Sequence, residues 1–531
     1  MDAIMPSLPW DFETRSPVPL DVAGAWRYAA DPRTEVLCVG YAVDDSEPRI
    51  WVLGDPIPEE FIVGAASDPS WRVIAHNFAF ERAIAKHILQ RFGWPAISLA
   101  QQRCTMTLAL ANAMPARLED AARAAKLDFQ KDVEGYLLMR RMSRPRKPKK
   151  NEDPNGVYYV DGPELRERLH LYCKRDVETE RALYHRFPPL SDFEQRLWQL
   201  DAIINERGFY TDVASLANAA RDVARIEQNN INAEIVALTQ GEITTVNEVE
   251  RIKTFIRRHG HTIASLTKRS ISAILAHGPG DDIRRLLELR QAGARASTRK
   301  FDALLKSVDA DDRLRGTLRF HASSTGRWAG NRFQPQNLKK PETADLDAAV
   351  DAVMAGDMGR IRELGAPLTV ADDIARGIIC AAPGHVLIGG DFSAIESRVL
   401  AWLAGEKWKL ETYRRYDTTG NPEFEPYCVM ASKALRRTVT PDDEVGRAFG
   451  KTYDLAFGFG GGIGAWRKFD SSDTYSDAEI EGFKRAFRFN HPATFRFWHR
   501  LELQRTAVCA PASGPSLTTR SFSIWRTARC S

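Results

Sequence analysis

The chain has 531 residues, 44% hydrophobic and 27% charged, with no low-complexity block, which is enough for several globular domains. Its 74 basic and 70 acidic side chains leave a net charge of +4, so bulk charge does not announce a nucleic-acid partner and local clusters must carry that case. Seven cysteines stand singly, with no Cys-x-x-Cys pair, which argues against a zinc site or a disulfide framework and fits a reducing cytoplasm. The N-terminus has neither a charged leader region nor a long apolar core, and no segment approaches a membrane span. The expectation is a soluble, monomeric, cytoplasmic protein.

In chain order, "EVLCVGYAVDD" and "RIWVL" read as neighbouring strands, "WRVIAH" as another, and "FERAIAKHILQRFG" as a helix closed by glycine, an α/β pattern. The basic run "RRMSRPRKPKK", Arg140 to Lys150, has seven cations in eleven positions. It reads as a solvated loop or as an edge that touches phosphates. From about 190 to 317 the chain is mostly amphipathic helix, and beyond 318 strands and helices mix again. Three regions are expected: 1–188, 189–317 and 318–531.

"PWDFETRS" places Asp11 and Glu13 two apart on a strand, so both leave the same face. "AHNFAFERAI" sets Asn77 at a strand end, with Phe80 and Glu81 in the first turn of a helix. "LYCKRDVETERAL" sets Tyr172 and Asp176 four apart on one helical face. Each motif alone is common on ordinary surfaces. Together, four carboxylates could hold a pair of hard cations that activate water and hold a leaving oxygen, with the tyrosine positioning the water.

Further on, "SSTGRWAGNRFQPQNLKKP" mixes Arg327, Arg332, Gln336 and Asn337 with aromatics, a density suited to sugar-phosphate contacts. "DFSAIESRVLAWLAG" follows the apolar run Val386-Leu387-Ile388, read as a strand that delivers Asp391 at its end, with Glu396 and Arg398 in the helix beyond. In "GRAFGKTYDLAFGFGGG", Arg447, Lys451, Leu455 and Phe459 are spaced by four, two cations and then two apolar groups along a helix over 447–460. That order suits a ligand with a triphosphate at one end and a flat base at the other. A P-loop is disfavoured because Val445 stands where it needs glycine, and a dinucleotide loop because no suitable strand precedes "GFGGGIG".

These motifs have a family likeness. Residues 1–188 resemble a DEDDy-type 3′–5′ exonuclease of the ribonuclease-H-like α/β fold. The resemblance implies Asp11, Glu13, Glu81 and Asp176 as ligands of two Mg²⁺ or Mn²⁺ ions, Tyr172 as the catalytic tyrosine, and Asn77 and Phe80 as DNA contacts. Position 81 more often holds aspartate in that family. Glutamate keeps the charge and adds one methylene.

The downstream motifs resemble a family A DNA polymerase of the phage and prophage branch: a mostly α thumb-like region, then an α+β palm and fingers. The resemblance implies Asp391 as a catalytic metal ligand and Glu396 as the residue that screens the incoming sugar. Arg447, Lys451, Leu455 and Phe459 would bind the deoxynucleoside triphosphate, and Arg327, Arg332, Gln336 and Asn337 the primer-template. Leu455 and Phe459 stand where the family usually has an aromatic and a tyrosine.

The partner carboxylate of Asp391 should lie in a His-Asp pair downstream. The 531 residues contain no His-Asp dipeptide, and after Glu502 come four arginines and no acid. The expectation is a replicative polymerase truncated before that motif. It would keep its exonuclease on single-stranded 3′ ends and primer-templates but lack a complete polymerase site, with no accessory protein identifiable. A non-catalytic DNA-binding remnant and a nuclease acting on RNA are the alternatives.

Overall fold

The computed structural model describes residues 5–127, 132–294, 297–470 and 474–509. The chain falls into two compact units, divided between Leu387 and Ile388.

In the first unit β1 (Ser7–Arg15), β2 (Glu35–Tyr41), β3 (Arg49–Trp51), β4 (Arg72–Ala75) and β5 (Gln102–Cys104) form one mixed sheet in the order β3-β2-β1-β4-β5. β1 pairs antiparallel with β2 and parallel with β4. As the central strand it is covered on both faces: Leu8, Trp10 and Phe12 are buried on one side of the pleat, and Ser7, Pro9 and Glu13 on the other. The strands expected at 35–45, 49–53 and 71–76 form, each shorter than its apolar run.

β4 leads into helix α1 (Ala79–His87), which was expected to reach Gly93. It gives way at Ile88 to a 3₁₀ turn, Leu89–Phe92, closed by Gly93 in a left-handed conformation that costs glycine nothing. α2 (Val133–Met142) carries the start of the basic run, and α3 (Pro163–Arg186) packs across β1 and β2. At the crossing, a Cβ on Gly40 would sit 2.7 Å from Cys173 Sγ, so the absence of a side chain lets the helix lie flush on the sheet.

The amphipathic stretch folds as expected into α4 (Asp192–Arg207), α5 (Asn218–Leu238), α6 (Asp281–Gly293) and α7 (Ser297–Ser307). Ser191 caps α4 by accepting from Glu194 N at 3.2 Å. The apolar faces of α5 to α7 share one core with Phe333, Leu338, Val370 and Ile374.

In the second unit, α8 (Ile395–Ala404), α9 (Lys407–Thr419), α10 (Pro426–Leu435), α11 (Glu444–Phe457) and α12 (Asp477–Asn490) are its longer helices before 491, and Phe449, Tyr453, Phe457, Trp466 and Phe487 fill its core. Inside that core Lys409 Nζ donates to Asp454, both side chains being 2% exposed. No helix among the described residues is long and apolar enough to cross a membrane.

Three sequence expectations fail here. Val386, Leu387 and Ile388 form no strand and are 79%, 65% and 93% exposed. An extended segment needs neighbours to satisfy its backbone groups, and no described residue from 388 onward is in a strand. Beyond 318, the described strands are only the two-residue pair Leu318–Arg319 and Ala329–Gly330. The helix expected over 447–460 stops at Phe457, because Gly458 and the glycine run after Phe459 favour a turn over helix propagation.

Candidate active site

The first three sequence motifs converge. Within β1, Asp11 and Glu13 stand opposite Gly40 and Cys38 of β2. Across the sheet, α3 brings Tyr172, Cys173, Asp176 and Glu180, and the first turn of α1 brings Glu81. Asp11, Glu13, Phe80, Tyr172 and Asp176 line one cavity of about 630 Å³, together with Arg140 and Arg144 of the basic run.

The electrostatics are those of an uncompensated acid cluster. Burial is the largest influence on each carboxyl, holding Asp11 up to about 6 and Glu13, Glu81, Asp176 and Glu180 well above the usual range. Mutual repulsion adds to it: Asp11 acts on all four of the others. Burial and the same carboxylates push the Tyr172 phenol up, and its hydroxyl shares a hydrogen bond with Asp176. Glu180 accepts from His76 N at 2.9 Å through one oxygen. Its other oxygen and Glu81 Oε2 are buried without a hydrogen-bond partner. Buried carboxylates with free lone pairs are costly alone and are the donor set of a hard divalent cation, so these residues fit one.

A neighbouring cavity of about 300 Å³ is lined by Trp26, Asn77, Arg82, Trp198, Asp201, Arg319 and Arg332, among others. It brings together two of the sequence-predicted DNA contacts, Asn77 and Arg332. Both have left-handed backbone, φ 65° and 55°, a strained state for arginine that the surrounding packing must hold. Arg327, Gln336 and Asn337 are exposed and line neither cavity.

In the second unit the predicted residues are more loosely set. Asp391 is exposed in a loop, and Glu396 is exposed in the first turn of α8. Arg398 makes a forked pair with Asp417 at 2.6 and 2.8 Å and lies over Tyr413. Arg447, Lys451 and Leu455 share a face of α11, with Arg447 ion-paired at 2.9 Å to buried Glu425. Phe459 lies past the helix end and is exposed. Among the described residues, Asp11, Glu13 and Cys173 are the one group of three candidate ligands whose donor atoms lie within 4.8 Å of one another, and Asp391 belongs to none.

Sequence reasoning missed Cys173, Glu180 and Asp201. Glu180 carried a readable signal, four residues after Asp176 on the Tyr172 face. The Cys173 contact with β1 depends on the flush helix packing over Gly40 and had none.

No family model matches the sequence. Among solved structures, the chain is similar to the POL domain of Pol1 from M. smegmatis in complex with DNA primer-template and dNTP. The TM-score is 0.55 at 14% identity, over 90% of this chain and 73% of that one. The fold is therefore that of a polymerase domain. Over 508 residues the sequence is 34% identical to the DNA polymerase of Bacillus phage SP02, covering 94% of this chain and 76% of the relative. It is also 22% identical over 318 residues to the DNA polymerase of Mycobacterium phage D29, covering 59% and 46%. The chain belongs to the phage DNA polymerases.

Proposed function

We propose that the chain is a family A type DNA polymerase whose first 188 residues are a ribonuclease-H-like, metal-dependent 3′–5′ exonuclease, and that the exonuclease is the activity these residues sustain. The observation that carries this reading is the convergence of Asp11, Glu13, Phe80, Tyr172 and Asp176 on one cavity from three distant segments, with Glu81 buried close enough to feel the charge of Asp11. The helices of 189–317 are read as thumb-like and the residues from 318 onward as palm and fingers. The mixed sheet with its acids on the central strand supports the ribonuclease-H-like reading.

Asp11, Glu13, Glu81 and Asp176 would hold two Mg²⁺ or Mn²⁺ ions, which supply a nucleophilic hydroxide at neutral pH and charge compensation at the phosphoryl oxygens. The chain's own groups do the rest. Tyr172, anchored on Asp176, orients the attacking water toward the terminal phosphodiester. Phe80 offers a face for the terminal base, and Arg140 and Arg144 neutralise phosphates entering the cavity. Asn77 and Arg332 steer the single strand.

For synthesis, Asp391 would bind metal, Glu396 would screen the sugar, and Arg447, Lys451, Leu455 and Phe459 would meet the incoming deoxynucleoside triphosphate. Arg327, Gln336 and Asn337 would touch the primer-template. Asp391 is exposed in a loop and belongs to no group of three close candidate ligands among the described residues, so it would have to hold metal without the gathered acids that surround Asp11. Little or no extension follows.

A 5′-labelled primer annealed to a longer template, incubated with Mg²⁺ with and without the four deoxynucleotides, tests both halves. Shortening that ignores nucleotides and disappears in Asp11→Ala is expected. Lengthening by the pure chain overturns the polymerase half. Absence of shortening in a folded, DNA-binding chain overturns the exonuclease half. Ribo-oligonucleotides run in parallel assign the sugar preference.

A further inference from the structure

Leu20 lines both the acid cavity and the smaller cavity of about 300 Å³ beside it, so the two adjoin. The first turn of α1 divides them: Phe80 faces the acids, while Asn77, Phe78 and Ala79 face the smaller cavity. Its volume is at the lower end for small-molecule sites, with room for about one nucleotide. Aromatic side chains make its floor. Trp26, Trp198 and Phe320 line it, each no more than 5% exposed, and the Arg82 guanidinium lies over the Trp198 ring at 5.5 Å. Asn77, Arg319 and Arg332 line it from positions more open to solvent.

The charge left unspent on this lining is positive. Of its two aspartates, Asp201 already accepts from Trp328 Nε1 at 2.8 Å, and Asp21 pairs with Arg144 at 3.7 Å. Arg82 is held by Gln102 at 2.8 and 2.6 Å. Arg332 is different. Burial holds its guanidinium below its ordinary basicity, Asp309 offsets part of that, and Arg319 adds repulsion. No hydrogen bond or ion pair to a described residue engages it. It rests against the backbone of Gly24, where any side chain would collide with it. The Asn77 amide likewise has no hydrogen-bond partner among the described residues.

We propose that this cavity is a binding site for a free nucleoside 5′-monophosphate, its phosphate met by Arg319 and Arg332 and its base laid on the aromatic floor beside Asn77. A phosphate monoester carries a charge of about −1.5 to −2 at neutral pH, against a single charge on each diester of a strand. Two guanidiniums that repel one another therefore favour the free nucleotide. The acid cavity next door would release such a nucleotide at each turnover, and only that source rests on the exonuclease reading. A bound nucleotide occupies Asn77 and Arg332, the residues that would steer the strand, so nucleotide and strand compete.

The test measures binding of 2′-deoxyadenosine 5′-monophosphate to the full chain by isothermal titration calorimetry in EDTA, which keeps cations out of the acid cavity and leaves its carboxylates to repel phosphate. One equivalent is expected to bind, at least about 10-fold tighter than deoxyadenosine or inorganic phosphate, because each of these lacks half of the contacts. Arg332→Gln is expected to weaken binding by more than about 10-fold. Ala79→Tyr, at an exposed position that starts α1, changes no charge and is expected to abolish binding by filling the cavity. Far-ultraviolet circular dichroism confirms that both variants are folded. A single-stranded tetranucleotide is expected to displace the monophosphate. No binding, binding that survives both variants, or equal affinity for inorganic phosphate overturns the proposal. A strand that binds where the monophosphate does not assigns the cavity to the strand and overturns it as well. The readout involves no cleavage, so a chain that fails to shorten primers refutes the exonuclease reading and leaves this site standing.

Discussion

Asp11 and Asp391 each follow an apolar run in the sequence, yet they fold into opposite surroundings. Asp11 lies in a strand flanked by β2 and β4 and covered by a 24-residue helix. Its neighbours are three buried glutamates, the half-buried Asp176, a tyrosine and a thiol. Asp391 lies in an exposed loop preceded by an apolar run that pairs with nothing described. The difference teaches that an acid is gathered with other acids and buried by the sheet around it. A hydrophobic run promises burial, but only paired neighbours deliver it.

The sharpest way to break this comparison is to remove each acid in turn. Asp11→Ala is expected to lower primer shortening by on the order of 10²–10³-fold or more, since charge stabilisation at the reacting phosphate is lost. Asp391→Ala is expected to leave shortening unchanged. Equal losses in labelled-primer assays would mean that the two acids serve one site.

The second contrast is between buried charge without a partner and buried charge with one. Lys409→Met strands Asp454 in the core of the second unit, at a cost of about 3–5 kcal/mol. Hydrogen-exchange protection along α11 should fall about 100-fold or more. Replacing both residues with apolar ones should restore most of it.

Asp201 gives a pH-dependent version of the same contrast. Burial holds its carboxyl up to about 6 from the usual 3.8, while Trp328 Nε1 donates to it at 2.8 Å. Between those pH values the folded chain binds more protons than the unfolded one, so stability falls as pH rises from 4 to 6. Asp201→Asn keeps the acceptor and should remove on the order of 2–3 kcal/mol of that fall, read as a flatter profile of Tm against pH. The smallest effect is expected from Arg447→Ala. Its guanidinium is nearly half exposed, so losing the pair with Glu425 should cost about 1 kcal/mol or less in urea unfolding.

The first unit was legible because its signals are local. A two-residue spacing on β1 and a four-residue spacing on α3 follow from strand and helix periods, and both faces turn toward the site. Glu180 continues the α3 spacing and was overlooked because the family pattern ends at Asp176. What was illegible is non-local. Nothing near Val386 says whether a neighbouring strand exists, and nothing near Lys409 says that Asp454, 45 residues away, will meet it. The end of α11 lies between these cases: the glycines were visible, but the four-residue spacing was carried past them to Phe459.

Gly40 deserves to be read as a spacer gauge for the whole acid cavity. Because a Cβ at this position would sit 2.7 Å from Cys173 Sγ, 3.1 Å from Val177 and 3.3 Å from the Cys173 carbonyl, an alanine there must turn the thiol aside and press α3 a few tenths of an ångström away from β2. Tyr172, Cys173 and Asp176 would rise together, away from Asp11 and Glu13. A single methyl on the strand beside the acids, touching no metal and no substrate, would thus detune every distance in the site at once, leaving the residues intact and their meeting point shifted.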